Sequence, residues 1–540
     1  MKWIKSGAPW IWLTAGAVSM SLFAVLGLLL LIGWKGLSYF WPAPLYQFQL
    51  DMDGQHQIVL GQIYDRQDVP VSQLPLVLAN NNLPSDAEVE RLLIKIANRD
   101  TNTSDFISVL SSQVIAKTVP QQAMLIERRR DGDFYGFPVG VLDDGERFGP
   151  EFVTQSLAMA EEIRAHTRHL ENEALVKLNQ RLVESRQALA RAQEDPQRQQ
   201  RMQEIEDLST QLSAMERQLL AKRSEIKGDA LLIVDGAGVE YSIAMSDIID
   251  SWYPNQLSGW EQLTHWLKQM GKFVSENPRD ANTEGGVFPA IFGTVLMVLL
   301  MSVMVTPFGV IAAIYLNEYA KNNAFTRLIR IAVINLAGVP SIVYGVFGLG
   351  FFVYVLGASI DDLFYAETLP VPTYGTPGIL WSALTLAILT LPVVIVSTEE
   401  GLSRVPQSVR EGSLALGATQ FETLWRIVLP MASPAIMTGL ILAIARAAGE
   451  VAPLMLVGVV KIAPSLPIDG SFPYLHLDRK FMHLGYHIYD VGFQSSNIEA
   501  ARPLVYATSF LLVLVIVSLN LTAIGIRNHL RDKYRSLEHG

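Results

Sequence analysis

Six apolar stretches, each long enough to cross a hydrocarbon layer about 30 Å thick, constrain this chain more than any other feature. They occupy residues 9–33, 287–316, 331–356, 378–398, 434–460 and 503–526. Lipid offers backbone amides no partners, so segments of this kind must be helices that satisfy their own hydrogen bonds. Half of the 540 residues are hydrophobic and only 17% are charged, with the charges gathered into one long block. That distribution predicts an α-helical polytopic membrane protein carrying one large aqueous domain. A net charge of −10 gives no electrostatic reason to expect nucleic acid as a partner. The chain has no cysteine, which excludes disulfides, thiolate metal sites and cysteine nucleophiles.

Positive charge in short connections sets the expected topology. Lys2 and Lys5 precede the first stretch, and Lys321, Arg327 and Arg330 follow the second. Arg404, Arg410 and Arg426 follow the fourth, and Arg527, Arg531, Lys533 and Arg535 follow the sixth. The connection 357–377 instead carries Asp361, Asp362 and Glu367 with no Lys or Arg, while 461–502 is mixed. Both termini are therefore expected in the cytoplasm. Residues 1–41 read as an uncleaved anchor, because the apolar core is too long for a secretory signal. Residues 527–540 read as a cytoplasmic tail.

The polar block, 42–286, is expected outside the cytoplasm as an α/β insertion. Residues 122–127 and 134–142 flank Arg130-Asp131-Gly132-Asp133, a hairpin signal, although Pro138 suits only an edge strand. Residues 230–234 and 239–243 flank Asp235-Gly236, a second hairpin signal. Between them, 151–226 carries coiled-coil spacing in two runs. Leu175, Leu178, Leu182 and Leu189 form one, and Ile205, Leu208, Leu212, Met215 and Leu219 the other. Asp195-Pro196 separates them as an N-cap and first helical residue, which predicts a helical hairpin acting as spacer or scaffold. From 257 to 274, Leu257, Trp260, Leu263, Leu267, Met270 and Val274 fall three or four apart. That stripe predicts a helix lying on the membrane surface.

The connection 399–433 holds the most specific pattern. Glu411-Gly-Ser-Leu-Ala-Leu-Gly417 is followed by nine residues and then Ile427-Val-Leu429-Pro430. Physically this is a short helix that Gly417 can end in a left-handed cap, then a turn, then a helix entered near Pro430. Its spacing resembles the EAA motif of ABC importer permeases, with Gly412 and Ser413 in place of two alanines. The resemblance implies the type-1 permease fold, with Glu411, Gly417, Ile427, Leu429 and Pro430 in a coupling loop that touches an ATPase. No Walker A pattern occurs in the chain, so it reads as a permease component rather than an enzyme.

Three further stretches, 282–294, 339–345 and 445–453, resemble the PstA-type permeases of phosphate-specific ABC importers. That resemblance covers roughly residue 259 to the C-terminus plus the first stretch, and does not extend to the insertion. It implies a permease core over 287–526 and a C-type permease as heterodimer partner. It also implies a cytoplasmic ATPase dimer holding ATP and Mg and a periplasmic phosphate-binding protein, with no cofactor on this chain. Arg446 and Glu450, four apart in the fifth stretch, are the expected substrate-pathway residues. A charge at that depth costs several kcal/mol unless paired or hydrated, and a guanidinium fork suits a tetrahedral oxyanion. A static pair that only fixes packing is the competing reading. Pro307, Pro340 and Pro392 mark helix breaks that could line a cavity. Of His476, His483 and His487, the last two are four apart, but a lone pair does not make a metal site, and no metal is expected. Another oxyanion or polar solute, or a membrane-anchored coiled-coil scaffold, are the alternative functions.

Overall fold

The computed structural model describes residues 8–538 except 53, 71–87, 100–103, 144, 192–194, 225, 227, 280–283, 322, 367–369, 471 and 496–497. Lys2, Lys5, Asn282, Thr283 and Glu367 lie outside the described residues, as do the side chains of Arg531, Lys533 and Arg535. The chain divides into two compact units. One comprises Met1–Tyr39, Lys272–Ile468 and Leu475–Gly540; the other comprises Phe40–Gly271 and Asp469–Tyr474.

Among the described residues, the first unit holds six helices apolar and long enough to cross a membrane: Trp10–Ser38, Phe288–Tyr319, Ser341–Phe364, Ile379–Ser403, Gln420–Gly449 and Ala501–His529. Two of them differ from the expected stretches. The third does not begin at 331: the helix Ala324–Leu336 ends, the chain turns through Gly338 and Val339, and a new helix starts at Ser341. Pro340 lacks an amide hydrogen and disfavours helix at Val339, which accounts for the break. The fifth does not reach 460. It ends at Gly449, with Glu450 extended at φ −80°, ψ 132°; Pro453, four residues on, has no amide hydrogen to donate to the Gly449 carbonyl.

The fourth span is the most enclosed, packed between the second and the fifth. Small residues allow the close approach that drives helix association in lipid. A Cβ on Gly309 would lie 2.6 Å from Val394, one on Gly401 2.6 Å from Ala435, and one on Gly439 2.6 Å from Ser397. The start of the fourth span is satisfied by main chain rather than by a capping side chain: Gly378 donates to the Val457 carbonyl, Ile379 to that of Arg479 and Leu380 to that of Leu477.

Those carbonyls belong to the connection after the fifth span, which closes over this end of the bundle. Leu484 donates its amide to Thr294 Oγ1 at 2.9 Å, and a Cβ on Gly293 would meet the Met482 carbonyl at 2.1 Å. In this connection His483 and His487 are buried, and Lys461 pairs with buried Asp490 at 3.1 Å. Burial lowers both histidines from 6.5 to about 4. An unfolded chain takes up protons at these positions below pH about 6.5 while the folded one does not until about pH 4. Stability should therefore fall as pH drops through that window. The melting temperature of detergent-solubilised protein should decline between pH 7.5 and pH 5, and decline less in the His483→Gln/His487→Gln double variant. An equal decline in both would contradict this assignment.

The second unit contains two sheets. Strands β1 (Tyr46–Met52), β2 (Gln55–Pro70), β3 (Glu88–Lys95), β4 (Phe106–Leu110) and β5 (Val114–Thr118) form an antiparallel sheet in the order β4-β3-β2-β1-β5. Strands β6 (Met124–Arg128), β7 (Phe134–Asp143), β8 (Glu146–Phe148), β9 (Ala230–Val234), β10 (Glu240–Ala244) and β11 (Ile248–Trp252) form the other, ordered β10-β9-β7-β6-β11 with β8 against β7. Both expected hairpins are present: Ile126 pairs with Phe134, and Val234 with Glu240. Pro138 is not on an edge strand. It sits in central β7, where pairing to β6 has ended at Gly136 and the register with β9 shifts between Pro138 and Gly140, so its missing donor breaks no regular ladder.

The helix Val153–His169 covers the second sheet through Val153 and Ala160 and continues through a wide turn, Leu170–Leu175, into Val176–Arg191. The helix Asp195–Ser224 packs back against it. Leu182, Leu208 and Leu219 are buried; the other described seam leucines are half-buried.

Candidate functional site

The fifth span builds the candidate site because it stops short. Gly401 packs on Ala435 and Gly439 on Ser397, which fixes the antiparallel register of the fourth and fifth spans. Carried forward at the rise common to both helices, that register sets Arg446 level with about Thr390. Thr390 lies close to the middle of Ile379–Ser403. Arg446 thus stands in the last helical turn at mid-depth, with Glu450 just beyond the helix end rather than on a continuous helix face. The two still meet: Arg446 Nε lies 3.6 Å from Glu450 Oε1, and their side chains are 34% and 22% exposed.

Beyond Glu450 the chain makes one turn of helix, Leu454–Val457, closed by amides of Gly458 and Val459 on the Leu454 carbonyl. Irregular backbone at this depth is tolerated only where it is buried in protein or lines a cavity. Gly458 illustrates the packing, since a Cβ there would lie 2.6 Å from both the Gly378 carbonyl and Ser382 Oγ. The stretch 339–345 joins the same place: a Cβ on Gly345 would lie 2.7 Å from Pro453 Cα. Tyr344 donates its hydroxyl to the Leu336 carbonyl across the Pro340 break at 2.6 Å. Two of the three stretches singled out in the sequence therefore meet at one pair of helix breaks. The described part of the third, around Gly293 and Thr294, meets the connection after the fifth span instead.

At the other end of the fifth span, the helix Gln407–Ala415 carries exposed Glu411. Gly417 has φ +91° and donates its amide to the Leu414 carbonyl at 3.0 Å, a left-handed C-terminal cap. The next helix does not start near Pro430. Thr419 caps it, with Glu422 completing a capping box at 2.9 to 3.2 Å, and helical structure then runs without interruption past Pro430. A wide turn, Leu424–Val428, absorbs the proline. Ile427, Leu429 and Pro430 are half-buried, and Leu429 packs with Leu316 and Leu402 in the bundle.

Contacts that the sequence reading missed fasten this loop. Arg410 pairs with Glu318 at the end of the second span and donates to the Leu402 carbonyl at the end of the fourth. Arg330 pairs with Glu399 at 3.3 Å and donates to the Leu316 carbonyl at 2.9 Å. An acidic residue among basic connections was the available signal. Ser413 and Thr423 hydroxyls share a buried hydrogen bond of 2.8 Å, so the serine in place of the motif's alanine ties the two short helices together. A cavity of about 170 Å³ lies beside them, lined by Glu318, Arg410, Leu414 and Thr423 among others. Leu416 is 91% exposed, and Phe421 and Trp425 stack on the surface with centroids 6.2 Å apart. Exposed apolar side chains gathered in this way suit a docking surface.

Residues 305–536 match the family of binding-protein-dependent transport system inner membrane components. The phosphate transport system permease protein PstA 1 of Mycobacterium tuberculosis (strain CDC 1551 / Oshkosh) is 32% identical over 287 residues, covering 52% of this chain and 80% of that one. A phosphate transport system permease protein PstA of Yersinia pestis is 32% identical over 251 residues, covering 46% and 75%. The probable ABC transporter permease protein YqgI of Bacillus subtilis is 30% identical over 257 residues, covering 47% and 81%.

Proposed function

The chain belongs to the PstA-type permeases of the binding-protein-dependent transport family, and from this premise we propose how its two sites carry out phosphate import. It is a multi-pass inner-membrane protein and the permease subunit of an ATP-driven phosphate importer. Arg446, held at mid-depth where the fifth helix ends, contacts the anion through its guanidinium fork, and Glu450 neutralises that charge when the site is empty. This placement of a charged pair at a helix break is the observation that carries the reading. Both side chains remain partly accessible, which a pair serving only as packing would not require.

The loop from Glu411 to Pro430 docks on a cytoplasmic ATPase. Leu416, Phe421 and Trp425 supply the exposed apolar contact. The Arg410–Glu318 pair and the Arg410 bond to Leu402 hand its displacement to the second and fourth spans. ATP and Mg reside on that partner, a C-type permease completes the pathway, and a periplasmic binding protein delivers phosphate. Both termini lie in the cytoplasm, residues 42–286 lie outside as a spacer or scaffold, and 287–526 form the permease core.

Labelled phosphate uptake in a strain lacking its own A-type permease tests the cargo. Expression of this chain should restore uptake, with excess sulfate or molybdate leaving it unchanged. Uptake inhibited by sulfate or molybdate but not by unlabelled phosphate would assign another oxyanion.

A further inference from the structure

The helix Gly259–Ser275 plays no part in the transport reading, yet one of its faces is left uncovered. Its inward face is occupied. Trp266 packs on Trp41 with ring centroids 6.4 Å apart, His265 lies 4.5 Å from the Trp252 ring, Lys268 pairs with Asp250 at 2.8 Å, and Phe273 is buried. Trp260, Leu267 and Val274 are 73%, 54% and 43% exposed. Seven residues apart, they fall within about 40° of one another on the helix circumference. Half-buried Leu263 and Met270 widen this stripe on one side, and Thr264, Lys268 and Glu261 border it on the other.

Chain connectivity holds this helix beside the membrane. Its last turn is bonded to the start of the second span: Val287 donates to the Phe273 carbonyl at 2.8 Å and Phe288 to the Glu276 carbonyl at 3.1 Å. Nearer its other end, its partner Trp41 is three residues past Ser38, the last residue of the first span. Three residues reach at most about 11 Å. Both ties run to span ends, and exposed Trp34, Tyr39 and Trp41 follow one another in sequence at the end of the first span, the residue types enriched at the lipid–water boundary.

We infer that the stripe Trp260–Leu267–Val274 is inserted into the headgroup region of the bilayer, making this helix a lipid-bound lead-in to the second span. The occupant is lipid rather than protein because the helix runs directly into that span, its Phe273 carbonyl accepting from the Val287 amide just before the span begins. Its polar border, Glu261 and Lys268, has the composition of an interfacial helix rather than of a spanning one.

The absence of native cysteine makes a direct test available. Leu267→Cys, Trp260→Cys and Glu261→Cys are each spin-labelled in the full chain within nanodiscs of phosphatidylethanolamine and phosphatidylglycerol. Collision with oxygen and with a water-soluble nickel complex is then measured. Labels at 260 and 267 should show an oxygen-to-nickel ratio several-fold above that at 261, at a depth of about 5–10 Å. A ratio at 267 equal to that at 261 would place the stripe in water. Labels at 260 and 267 shielded from both reagents would mean that protein covers it. Either result overturns the inference, and neither depends on what the chain transports.

Discussion

Phosphate uptake falls by about a hundredfold or more in Arg446→Gln at wild-type expression. A guanidinium contacts an oxyanion through two charge-assisted hydrogen bonds, each contributing about 1.5–3 kcal/mol. Losing both amounts to at least two factors of ten, at 1.4 kcal/mol each. The substitution also leaves Glu450 without its partner at mid-depth, so the empty site becomes repulsive to an anion as well as less attractive. A double variant, Arg446→Gln/Glu450→Gln, separates pathway from packing. If the pair only holds helices together, removing both charges restores uptake, because neither is left unpaired. If Arg446 contacts the anion, uptake stays low although the repulsion is gone. Arg446→Lys should fall between, retaining charge without the fork. Normal uptake in Arg446→Gln would remove this residue from the pathway.

Gly417→Val should reduce uptake more than tenfold while the permease still reaches the membrane. The argument concerns backbone alone, because a Cβ at Gly417 would meet nothing within 4 Å. At φ +91° a β-branched residue is strained. Relaxing it to negative φ would redirect the chain between the helix Gln407–Ala415 and the Thr419 cap. The exposed Leu416 would then be displaced relative to the stacked Phe421–Trp425 pair. The consequence is lost docking rather than lost folding, measured as reduced ATPase co-purification together with reduced uptake. Gly412→Ala is the control: it has open space and no positive φ, so uptake should be unchanged. Unchanged uptake and co-purification in Gly417→Val would show that the loop is not the dock.

The loop was legible in the sequence because its signals are local. Gly417 can terminate the first short helix, but the next is expected to start near Pro430, although the Thr419–Glu422 capping box, itself a local signal, sets it eleven residues earlier. The six membrane helices were legible for a related reason, since lipid imposes the same length and polarity on each of them. Their ends were less so. Hydropathy continued through Pro340 and past Glu450, where apolar residues persist although the helix does not. Pro138 misled in the opposite direction, because whether a missing donor matters depends on where the neighbouring strand stops. The strands β1 to β5 were not identified; β1 and β2 form a local hairpin, Met52 pairing with Gln55, whereas β1 also pairs with β5, more than sixty residues on.

Composition and spacing by themselves determined the membrane class, the helix count, the coupling motif and the candidate pair Arg446–Glu450. Each depends on residues within one helix or one turn of each other. Tertiary structure alone decided that 339–345 packs against 445–453, and that Arg410 is shared between Glu318 and the Leu402 carbonyl. It also set Arg446 at mid-depth by the close packing of Gly401 and Gly439 on neighbouring helices. Apart from the Arg410–Leu402 bond, those relations join positions tens of residues apart. They follow from which helices can approach closely, and hydropathy records burial without recording the neighbour that causes it.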